Sequence, residues 1–564
     1  MTPISRRRAR VAATAALTLI AWATGHAAAA TVVSAVAAPD RYGADTAAEI
    51  LAAGGNAADA AVAIAFTLAV TYPEAGNLGG GGFATVLFDG KADFLDYRER
   101  APASASAGMY LDAAGKVILD ASTVGTGAAG VPGTVAGLWE LHRRFGKLSW
   151  QADLAAAIRY AEQGFPVSPM LVEARNRRAA ELRGRTNFLS YFGALVKGAT
   201  FRQPELGATL RRIAADGPHG FYAGRTAELL LSEMARSRGH IVAADLEAYG
   251  VVWRKPLEGE WAGYHVITAP LPSSGGIVML SMLSMKADLA PVFAGVPLNS
   301  AQYVHLVAEI EKRVFADRAN YLGDPDFTEV PVAQLLEPAY LARRAAEVNA
   351  ERPTPTADVK PGLAQHHNTT HFSVIDRFGN AVSNTYTLND DFGSGQVVTG
   401  AGFLLNNEMD DFSVKPGVPN IFGVVGGDAN AIAPGKRPLS TMTPTILTQD
   451  GQVAVVIGSE GGPSIATQVF QVLTGWHDFH MSLASAIAAP RVHHQLLPAD
   501  TLIEEPYKML EPKVRQALIA RGYKFFNRGW NGDVQAIVFA DGQEAAVSDP
   551  RGRGVARVLS NPAP

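Results

Sequence analysis

Apolar and polar residues alternate in two runs, residues 369–375 and 381–389, both rich in β-branched side chains. A short polar segment containing glycine and asparagine separates them. Alternation on both sides of a turn-forming segment is typical of a β-hairpin, because successive side chains of a strand point to opposite faces. The pattern therefore predicts two antiparallel strands joined by a tight turn.

The position of the turn sets which residues face each other across this hairpin. With the turn centred on Phe378, Ile375 lies opposite Ala381 and Thr369 lies opposite Thr387. Directly opposed residues of an antiparallel pair have Cβ atoms about 5 Å apart, so the two threonine hydroxyls are expected within reach of each other. A shift of one residue would turn Thr387 to the other face, which makes the register a testable prediction.

Thr369 attracts attention because of the chemistry that its position permits. A threonine hydroxyl is a weak nucleophile unless a base lies beside it. Cleavage of the chain before Thr369 would supply that base, since the new α-amino group has a pKa of about 7.7–8.0. The alternative interpretation is that Thr369 only begins a strand, as many threonines do. Residues further along the chain decide between the two.

The first part of the chain carries clear helix signals. Residues 45–53 are rich in alanine, and Gly54 follows them, which predicts a helix that stops there. Asn56, with Asp59 three residues later, matches a capping box and predicts a second helix that runs to about Val70.

Two later segments have an equally clear pattern. Ser300 is predicted to cap a long helix with a single apolar stripe, which we interpret as core packing, and this stripe comprises Tyr303, Val307, Ile310 and Val314. Residues 453–457 form a continuous β-branched and alanine run, which predicts a buried strand.

Four consecutive glycines, residues 79–82, precede a strand-like run at residues 84–88. They lack the lysine and the spacing of a phosphate-binding loop, so we expect a tight turn or a close backbone approach instead. Asp89–Gly90 is a hairpin signal, and residues 94–100 are predicted to continue the return strand, with Arg98 near its end.

Composition narrows the class of protein. The 564 residues are 48% hydrophobic and 18% charged, as expected for a globular protein. The net charge of −4 gives no sign of a nucleic-acid or anionic-lipid partner. The absence of cysteine excludes disulfides, thiolate metal sites and a cysteine nucleophile.

Residues 1–30 have the pattern of an export signal. A basic start that includes Arg6–Arg7 is followed by an apolar stretch at residues 11–23 and by small residues at 27–30. The apolar stretch is shorter than the ~20 residues that a membrane-spanning helix needs. We therefore expect a mature protein that is periplasmic or secreted, with an uncleaved anchor as the alternative and the export route left open.

Three further clusters carry functional groups. Glu408, Asp410 and Asp411 lie close together between apolar residues, where acids can bind a cation or transfer protons. Residues 440–441 place two hydroxyls on a turn bracketed by prolines. Residues 461–462 are glycines between a buried strand and a helix, where backbone N–H groups can stabilise an anion.

Together these motifs resemble, in order and spacing, the γ-glutamyltransferase (glutathione hydrolase) family of N-terminal-nucleophile hydrolases. The resemblance extends over essentially the whole chain after residue 30. It is densest over residues 368–389, 404–428, 436–444 and 458–462.

This resemblance implies a role for each matching residue. Thr369 matches the nucleophile, released by autocleavage after Asn368, and Thr387 matches the threonine that supports it. Gly461 and Gly462 match the oxyanion hole. The groups that match the binding site for the substrate's α-ammonium are Asn389, Glu408 and Asp411, and those that match its α-carboxylate site are Arg98, Ser440 and Thr441.

The resemblance also implies the overall organisation. We expect an α+β fold, a four-layer αββα sandwich built jointly by two autocleaved subunits. The signal peptide would occupy residues 1–30, the large subunit residues 31–368 and the small subunit residues 369–564. The implied donors are glutathione and other γ-glutamyl compounds, the acceptors are water, an amino acid or a dipeptide, and no metal or organic cofactor is needed.

Several positions depart from the family's common pattern. Glu408 replaces a glutamine found in some members, and Thr441 replaces a common serine. Phe422, in the glycine- and proline-rich loop of residues 416–434 that is expected to cover the site, replaces a usual tyrosine. Glu460 and Pro463 bracket the glycine pair in an unusual way. These differences are expected to affect the choice between water and amine acceptors more than the reaction class.

Two other functions remain open from the sequence. One is a related acylase that removes glutaryl or similar side chains from cephalosporin-type β-lactams, although such members tend to lack the covering loop and the ammonium-binding acids. The other is a non-catalytic periplasmic amino-acid-binding protein that never cleaves itself.

The histidine pairs at residues 366–367 and 493–494, with His371, suggest a metal site at first sight. Adjacent histidines on a strand point to opposite faces, and no carboxylate lies at ligand spacing. We therefore interpret them as exposed or structural histidines.

Overall fold

The structure is a computed structural model that describes residues 33–360, 370–423, 425–529, 532–540 and 543–560. The predicted export signal, the histidine pair at 366–367 and both residues of the predicted cleavage site, Asn368 and Thr369, lie outside these ranges. None of the helices in the described part of the chain combines the length and the hydrophobicity that a bilayer crossing requires.

The strands and helices alternate irregularly along the chain. The strands are β1 (Ser34–Ala38), β2 (Gly81–Phe88), β3 (Lys91–Tyr97), β4 (Phe165–Pro166), β5 (Thr200–Phe201), β6 (Val252–Arg254), β7 (Leu257–Trp261), β8 (Tyr264–Thr268), β9 (Thr370–Ile375), β10 (Ala381–Thr387), β11 (Thr445–Gln449), β12 (Gln452–Ser459), β13 (Val492–His493), β14 (Thr501–Glu504), β15 (Lys524–Asn527), β16 (Val534–Ala540), β17 (Gln543–Ser548) and β18 (Val555–Leu559). The α-helices are α1 (Arg41–Ala52), α2 (Ala57–Thr71), α3 (Thr134–Phe145), α4 (Trp150–Gln163), α5 (Pro169–Leu182), α6 (Phe188–Phe192), α7 (Pro204–Asp216), α8 (His219–Tyr222), α9 (Gly224–Ser237), α10 (Ala243–Glu247), α11 (Gly275–Asp288), α12 (Ala290–Phe293), α13 (Ala301–Tyr321), α14 (Val332–Leu335), α15 (Pro338–Ala346), α16 (Ile465–His477), α17 (Leu483–Ile487) and α18 (Pro512–Ala520).

Two large antiparallel sheets form the centre of the molecule. The first has the strand order β18-β1-β9-β10-β2-β3-β6, and the second has the order β17-β16-β12-β11-β8-β7. Both sheets combine strands from before and after residue 369. The two parts of the chain are therefore interleaved, and neither sheet could form from one part alone.

The two sheets stack face to face. Side chains from both, including Ala37, Ile375, Ile446 and Val456, make one apolar cluster between them. Polar groups also cross this interface, because Ser383 Oγ in the first sheet donates to the carbonyl oxygen of Ile457 in the second at 3.1 Å. This hydrogen bond satisfies groups that water cannot reach.

Helices cover the outer face of each sheet. Helix α2 is buried along its whole length, and it packs with α1, α3 and α4 on the outer face of the first sheet. Helices α11, α13 and α16 cover the second sheet. Helix α2 is apolar on all sides, so it must be covered on all sides, and its position between the other helices and the first sheet provides that cover. The result is the four-layer αββα sandwich expected from the resemblance.

The central hairpin has the predicted register. Ile375 lies opposite Ala381, and the pairing continues without a bulge to Thr370 opposite Tyr386. The predicted pair of Thr369 with Thr387 would be the next one, but Thr369 lies outside the described residues. All described residues of both strands are buried, as expected for strands covered on both faces.

The predicted helix signals are confirmed, with small changes in the boundaries. The capping box of α2 is present, since Asn56 Oδ1 accepts the N–H of Asp59 at 3.1 Å and Asp59 Oδ2 accepts that of Asn56 at 2.8 Å. Helix α1 begins at Arg41, earlier than predicted, because Asp40 accepts the N–H of Gly43 at 2.7 Å and acts as the cap.

The return strand β3 is shorter than predicted. It ends at Tyr97, and the N–H of Arg98 donates to the side chain of Asp96 at 3.0 Å instead of continuing the ladder. The expectation that residues 98–100 remain in the strand is therefore wrong.

Candidate active site

Strand β10 ends at Thr387, and the chain then turns sharply. Asn389 has a φ of 81°, a left-handed conformation that asparagine tolerates better than most residues. Its N–H donates to Thr387 Oγ1 at 2.7 Å, and its Nδ2 donates to the carbonyl oxygen of Asn407 at 3.0 Å. Asn389 Oδ1 is buried, and no described residue donates a hydrogen bond to it. This oxygen is therefore a candidate acceptor for a ligand.

The acidic cluster lies on a short 3-10 helix, Glu408–Asp411, that is buried throughout. Asn406 fixes the start of this helix. Its Oδ1 accepts the N–H of Glu408 at 3.0 Å, while its Nδ2 donates to the carbonyl oxygens of Gly79 at 2.7 Å and Gly130 at 2.8 Å. The glycine-rich loop thus supports the start of the acidic helix through a close backbone contact, as predicted.

Arg98 connects two regions that are far apart in the sequence. Its guanidinium donates to the carboxylates of both Glu408 and Asp411, and all three side chains are completely buried. It also lies 3.5 Å from Glu99 and donates through Nε to the carbonyl oxygen of Pro438 at 3.3 Å. The groups predicted to hold the two charges of a substrate therefore bind each other in this state.

The charges of this cluster are not balanced. Three buried carboxyl groups, Glu99, Glu408 and Asp411, surround the guanidinium of Arg98. Burial raises the pKa of each carboxyl well above its ordinary value, and the nearby guanidinium opposes that shift. Burial lowers the pKa of Arg98, but the three acids more than compensate and raise it. A ligand that brings a positive charge would therefore be stabilised here.

The hydroxyl-bearing turn lies beside Arg98. Ser440 N–H donates to the carbonyl oxygen of Pro272 at 2.8 Å, and Ser440 Oγ accepts the N–H of Met442 at 3.2 Å. Thr441 Oγ1 donates to the carbonyl oxygen of Gly462 at 3.1 Å. The turn therefore contacts the arginine on one side and the glycine pair on the other.

The glycine pair follows the end of strand β12. Gly461 and Gly462 have φ values of 133° and 60°, which favour glycine. The carbonyl oxygen of Gly461 accepts hydrogen bonds from Ser464 Oγ at 2.6 Å and Arg528 Nη1 at 3.1 Å. Within the described part of the chain, no group accepts a hydrogen bond from either glycine N–H. Both amides are thus available to stabilise an anion.

A cavity of about 290 Å³ lies at this end of the sandwich. Thr387, Asn389, Gly461 and Phe422 line it, so the loop of residues 416–434 reaches the site as expected. The cluster around Arg98 and the hydroxyls of residues 440–441 do not line it, because they are fully buried. The structure therefore places the predicted residues in two adjoining groups.

Two hydrogen bonds join these groups. Asn389 bonds to Asn407, which precedes the acidic helix, and Thr441 bonds to Gly462. The open cavity is lined by residues that are predicted to take part in the reaction, and the closed cluster beside it contains residues that are predicted to bind the charges of a substrate. This division fits a substrate whose charged end is buried and whose scissile bond lies at the cavity.

Two supporting residues, Arg318 and Ser274, were not predicted from the sequence. Arg318 is buried in α13 and its Nε donates to Ser274 Oγ at 2.8 Å. Ser274 Oγ in turn donates to the carbonyl oxygen of Ser440 at 2.7 Å. The available signal was the position of Arg318 four residues after Val314, on the continuation of an apolar stripe.

The histidines have structural roles where the structure describes them. His371 is buried between Thr385 Oγ1 at 2.9 Å and Ser373 Oγ at 3.0 Å, and burial lowers its pKa to about 3. His493 and His494 are buried as well, and burial lowers both pKa values. No described residue supplies a carboxylate beside His371.

One group of described side chains has spacing compatible with a metal ion: Asp59, His142 and Asp153. The oxygens of Asp59 already accept the N–H groups of Asn56, Lys147 and Leu148. We therefore assign this group to helix capping and packing.

Two stacked antiparallel sheets between helical layers, with the end of a central strand at a cavity, define the architecture of the N-terminal-nucleophile hydrolases. A solved structure of this class, cephalosporin acylase from Bacillus halodurans, has a TM-score of 0.80, is 28% identical, and covers 94% of this chain and 96% of that chain.

Sequence comparison assigns the family. The gamma-glutamyltranspeptidase family model matches residues 43–559, and the chain belongs to this family. A glutathione hydrolase proenzyme from Pseudomonas aeruginosa is 60% identical over 526 residues, which cover 93% of this chain and 94% of the relative. The structure of gamma-glutamyltranspeptidase from Pseudomonas nitroreducens complexed with L-DON is 57% identical with a TM-score of 0.57, covering 58% of this chain and 97% of that chain.

Proposed function

We propose that Thr369 is the nucleophile of this γ-glutamyl hydrolase and transferase, and that the chain cleaves itself between Asn368 and Thr369. The activity follows from the family, and the Pseudomonas aeruginosa relative is a proenzyme by name. The confirmed hairpin register supports the assignment of Thr369, because Thr387 is the next residue of the paired strand β10.

The observation that carries the substrate assignment is the buried cluster around Arg98. An amino-acid end presents an ammonium with three donors and a carboxylate. Asn389 Oδ1 and Glu408 Oε2 are buried acceptors to which no described residue donates, and Asp411 lies beside them. These three groups suit the ammonium.

The carboxylate of the substrate has its own partners. The planar guanidinium of Arg98 can bind both carboxylate oxygens, and the hydroxyls of Ser440 and Thr441 can donate to them. On binding, the substrate would replace the ion pairs that Arg98 now makes with Glu408 and Asp411. Its carboxylate would bind Arg98, and its ammonium would bind the two acids. Such a site discriminates strongly against ligands that leave one buried charge unpaired.

Maturation precedes catalysis in this proposal. The Thr369 hydroxyl attacks the carbonyl carbon of Asn368, the peptide becomes an ester, and water releases the new α-amino group. Residues 31–368 then form the large subunit and residues 369–564 the small subunit. Because both sheets contain strands from each part, the subunits remain associated after cleavage.

In each catalytic cycle the α-amino group of Thr369 takes the proton of its hydroxyl, and the oxygen attacks the γ-carbonyl of the donor. The amides of Gly461 and Gly462 stabilise the oxyanion, while Thr387 supports the nucleophile. When the oxyanion collapses, the C–N bond breaks, the α-ammonium of Thr369 gives the proton to the leaving amine, and a γ-glutamyl ester remains on Thr369. Water or an amino acid or dipeptide amine then resolves that ester, with glutathione and related γ-glutamyl compounds as donors.

We assign the mature protein to the periplasm or to secretion, on the basis of the export signal in residues 1–30.

The acylase function receives no support from a specific observation. A glutaryl group has the carboxylate that would draw Arg98 away from Glu408 and Asp411, but it lacks the α-ammonium that would replace the arginine, so these buried acids would lose their cation.

The test compares wild type with Thr369→Ala and Arg98→Lys. Wild type should give two bands on a denaturing gel, with a new N-terminus at Thr369, whereas Thr369→Ala should remain one inactive chain. Arg98→Lys should cleave normally but raise KM for a γ-glutamyl anilide about 100-fold, or about 2.7 kcal/mol, because lysine cannot bind a carboxylate bidentately.

Two outcomes would contradict the proposal. One is that the wild-type chain stays uncut and that Thr369→Ala, which lacks the hydroxyl, still turns over the anilide. The other is a single uncut chain that binds glutamate without turnover, which would indicate the binding protein instead.

A further inference from the structure

The cavity wall beside the glycine pair carries two acids that the proposed mechanism does not use. Strands β12 and β16 pair with Ser459 opposite Val534, so the next residues, Glu460 and Asp533, come together just beyond the paired ends. The N–H of Glu460 donates to the carbonyl oxygen of Asp533 at 3.3 Å. Both residues line the cavity, and Glu460 directly precedes Gly461.

Neither acid forms an ion pair with a described residue, although Asp533 is buried and Glu460 is half-buried. Asp533 is 3% exposed, and although its Oδ1 accepts Gln535 Nε2 at 2.7 Å, its buried Oδ2 accepts no hydrogen bond from a described residue. The part of the chain that the structure describes provides no ion pair for Glu460 either. By contrast, Glu74 in the same cavity is paired with Arg553.

Burial and the neighbouring acids disfavour the ionised forms of both carboxyl groups. Burial raises the pKa of Glu460 well above its ordinary value, and Asp533, Asp391 and Glu74 raise it further, while Arg177 lowers it. Burial and Asp549 likewise raise the pKa of Asp533, and the charges of Arg491 and Arg553 only partly oppose that shift. A cationic ligand in the cavity would reduce this repulsion. The site therefore favours a ligand with an ammonium group.

Three arginines also line this cavity, and two of them, Arg551 and Arg553, pair with buried acids. Arg177, on helix α5, lies 2.8 Å from Asp391 and its side chain is about half exposed. An arginine with solvent-facing donors can bind a carboxylate without leaving its first partner. The cavity thus offers groups for both charges of an amino acid or peptide.

We propose that Glu460 and Asp533 bind the ammonium group of the acceptor amino acid or dipeptide, and that Glu460 accepts its proton before attack. The inference rests on the proposed function, because it assigns the second substrate of that reaction. Glu460 precedes an oxyanion glycine, so a ligand on Glu460 lies beside the ester carbonyl that those amides bind.

The transfer step balances as follows. The acceptor ammonium gives one proton to the Glu460 carboxylate and becomes a neutral amine. The nitrogen lone pair forms the new C–N bond at the ester carbonyl carbon, and the carbonyl electron pair moves to the oxygen held by Gly461 and Gly462. When that pair returns, the bond to Thr369 Oγ1 breaks.

The second amine proton passes through the α-amino group of Thr369 to Thr369 Oγ1, which restores the hydroxyl. Glu460 then releases its proton to water. A carboxyl with a raised pKa is a better proton acceptor than an ordinary one, so its environment suits this task.

The test measures how the γ-glutamyl ester divides between water and glycylglycine. The enzymes are mature wild type, Glu460→Gln, Asp533→Asn and a control, Glu173→Gln, which changes an exposed acid of the same cavity. We expect the ratio of transfer to hydrolysis to fall about tenfold in Glu460→Gln, because a hydrogen bond between two charged groups is lost, and to fall less in Asp533→Asn. The control should keep the wild-type ratio.

An equal loss of transfer and hydrolysis in both variants, or an unchanged ratio in both, would overturn this inference. If Glu460→Gln fails to fold, the ratio in Asp533→Asn decides. Failure of the proposed function would give a different result, because Thr369→Ala would then remain active. In that case the ratio of transfer to hydrolysis in the other variants would not test the acceptor site. A gel showing two subunits confirms that each variant has matured.

Discussion

The hydroxyl of Thr441 donates a hydrogen bond to the carbonyl oxygen of Gly462 over 3.1 Å. This bond connects the turn beside Arg98 with the glycine pair at the cavity, two loops whose functions are otherwise separate. Both residues are buried, so water does not compete for the bond. In the proposed function, this bond would hold the charged end of a substrate and its reacting carbonyl at a fixed separation.

Removal of this hydroxyl should affect turnover more than folding. We expect Thr441→Val, which keeps the side-chain shape, to lower kcat/KM for a γ-glutamyl anilide about tenfold, while Thr441→Ser stays near wild type. Initial rates over a range of donor concentrations measure the effect. Equal activity of the valine and serine variants would show that the hydroxyl has no such role.

Local sequence signals predicted much of the framework. The turn between two alternating runs was sufficient to place Ile375 opposite Ala381, and the side chains of Asn56 and Asp59 were sufficient to place the start of α2. In each case the deciding interactions lie within a few residues of each other. Such features depend little on the rest of the chain.

The arrangement inside the site could not be predicted in the same way. Arg98 lies 310 residues before Glu408 and 313 before Asp411, and the sequence did not reveal that they bind each other. Arg318 supports the site through Ser274 only because α13 packs beside that turn. Charge pairing across distant segments depends on the complete fold, which periodicity does not specify.

The backbone of Gly80, in the glycine-rich loop, lies too close to strand β10 for a larger residue. A Cβ at Gly80 would overlap the carbonyl oxygen of Thr387, which is backbone and cannot move aside without shifting β10. We expect Gly80→Ala to lower the free energy of unfolding by about 3 kcal/mol or more, since overpacking against backbone is poorly relieved. Thermal unfolding and the yield of processed subunits measure this.

Gly108→Ala is the matched control for that substitution. A Cβ at Gly108 meets no atom within 4 Å, and its φ is not in the left-handed range. It should therefore change the stability by less than about 0.5 kcal/mol, as surface substitutions usually do. If Gly80→Ala were as stable as Gly108→Ala, the conclusion that Gly80 leaves no room for a Cβ beside Thr387 would be wrong.

Acid should destabilise the protein through its buried histidines, and His493 allows a direct test. Burial lowers the pKa of His493 to about 3, and the charges of Arg528 and Arg318 contribute in the same direction. An unfolded histidine titrates near 6.5, so the unfolded chain binds the proton first. The stability that neutral His493 provides is therefore present above about pH 6.5 and is lost as the pH falls towards 3.

The size of the effect follows from the interval between the two pKa values. Between pH 7 and pH 5, one histidine that stays neutral in the folded state lowers the free energy of unfolding by about 2 kcal/mol. Buried carboxyls with raised pKa values act in the opposite direction, because they favour the folded state as the pH falls. The informative quantity is therefore the difference between wild type and a variant.

The glutamine of His493→Gln can still bond to Thr467 Oγ1. We expect the free energy of unfolding of this variant to fall by about 2 kcal/mol less than that of wild type between pH 7 and pH 5, even if the variant is less stable at pH 7. Chemical denaturation at pH 7 and pH 5 gives both values. His219→Gln, at an exposed position, should keep the wild-type dependence. The same acid loss in His493→Gln and wild type would mean that His493 does not stay neutral in the folded protein.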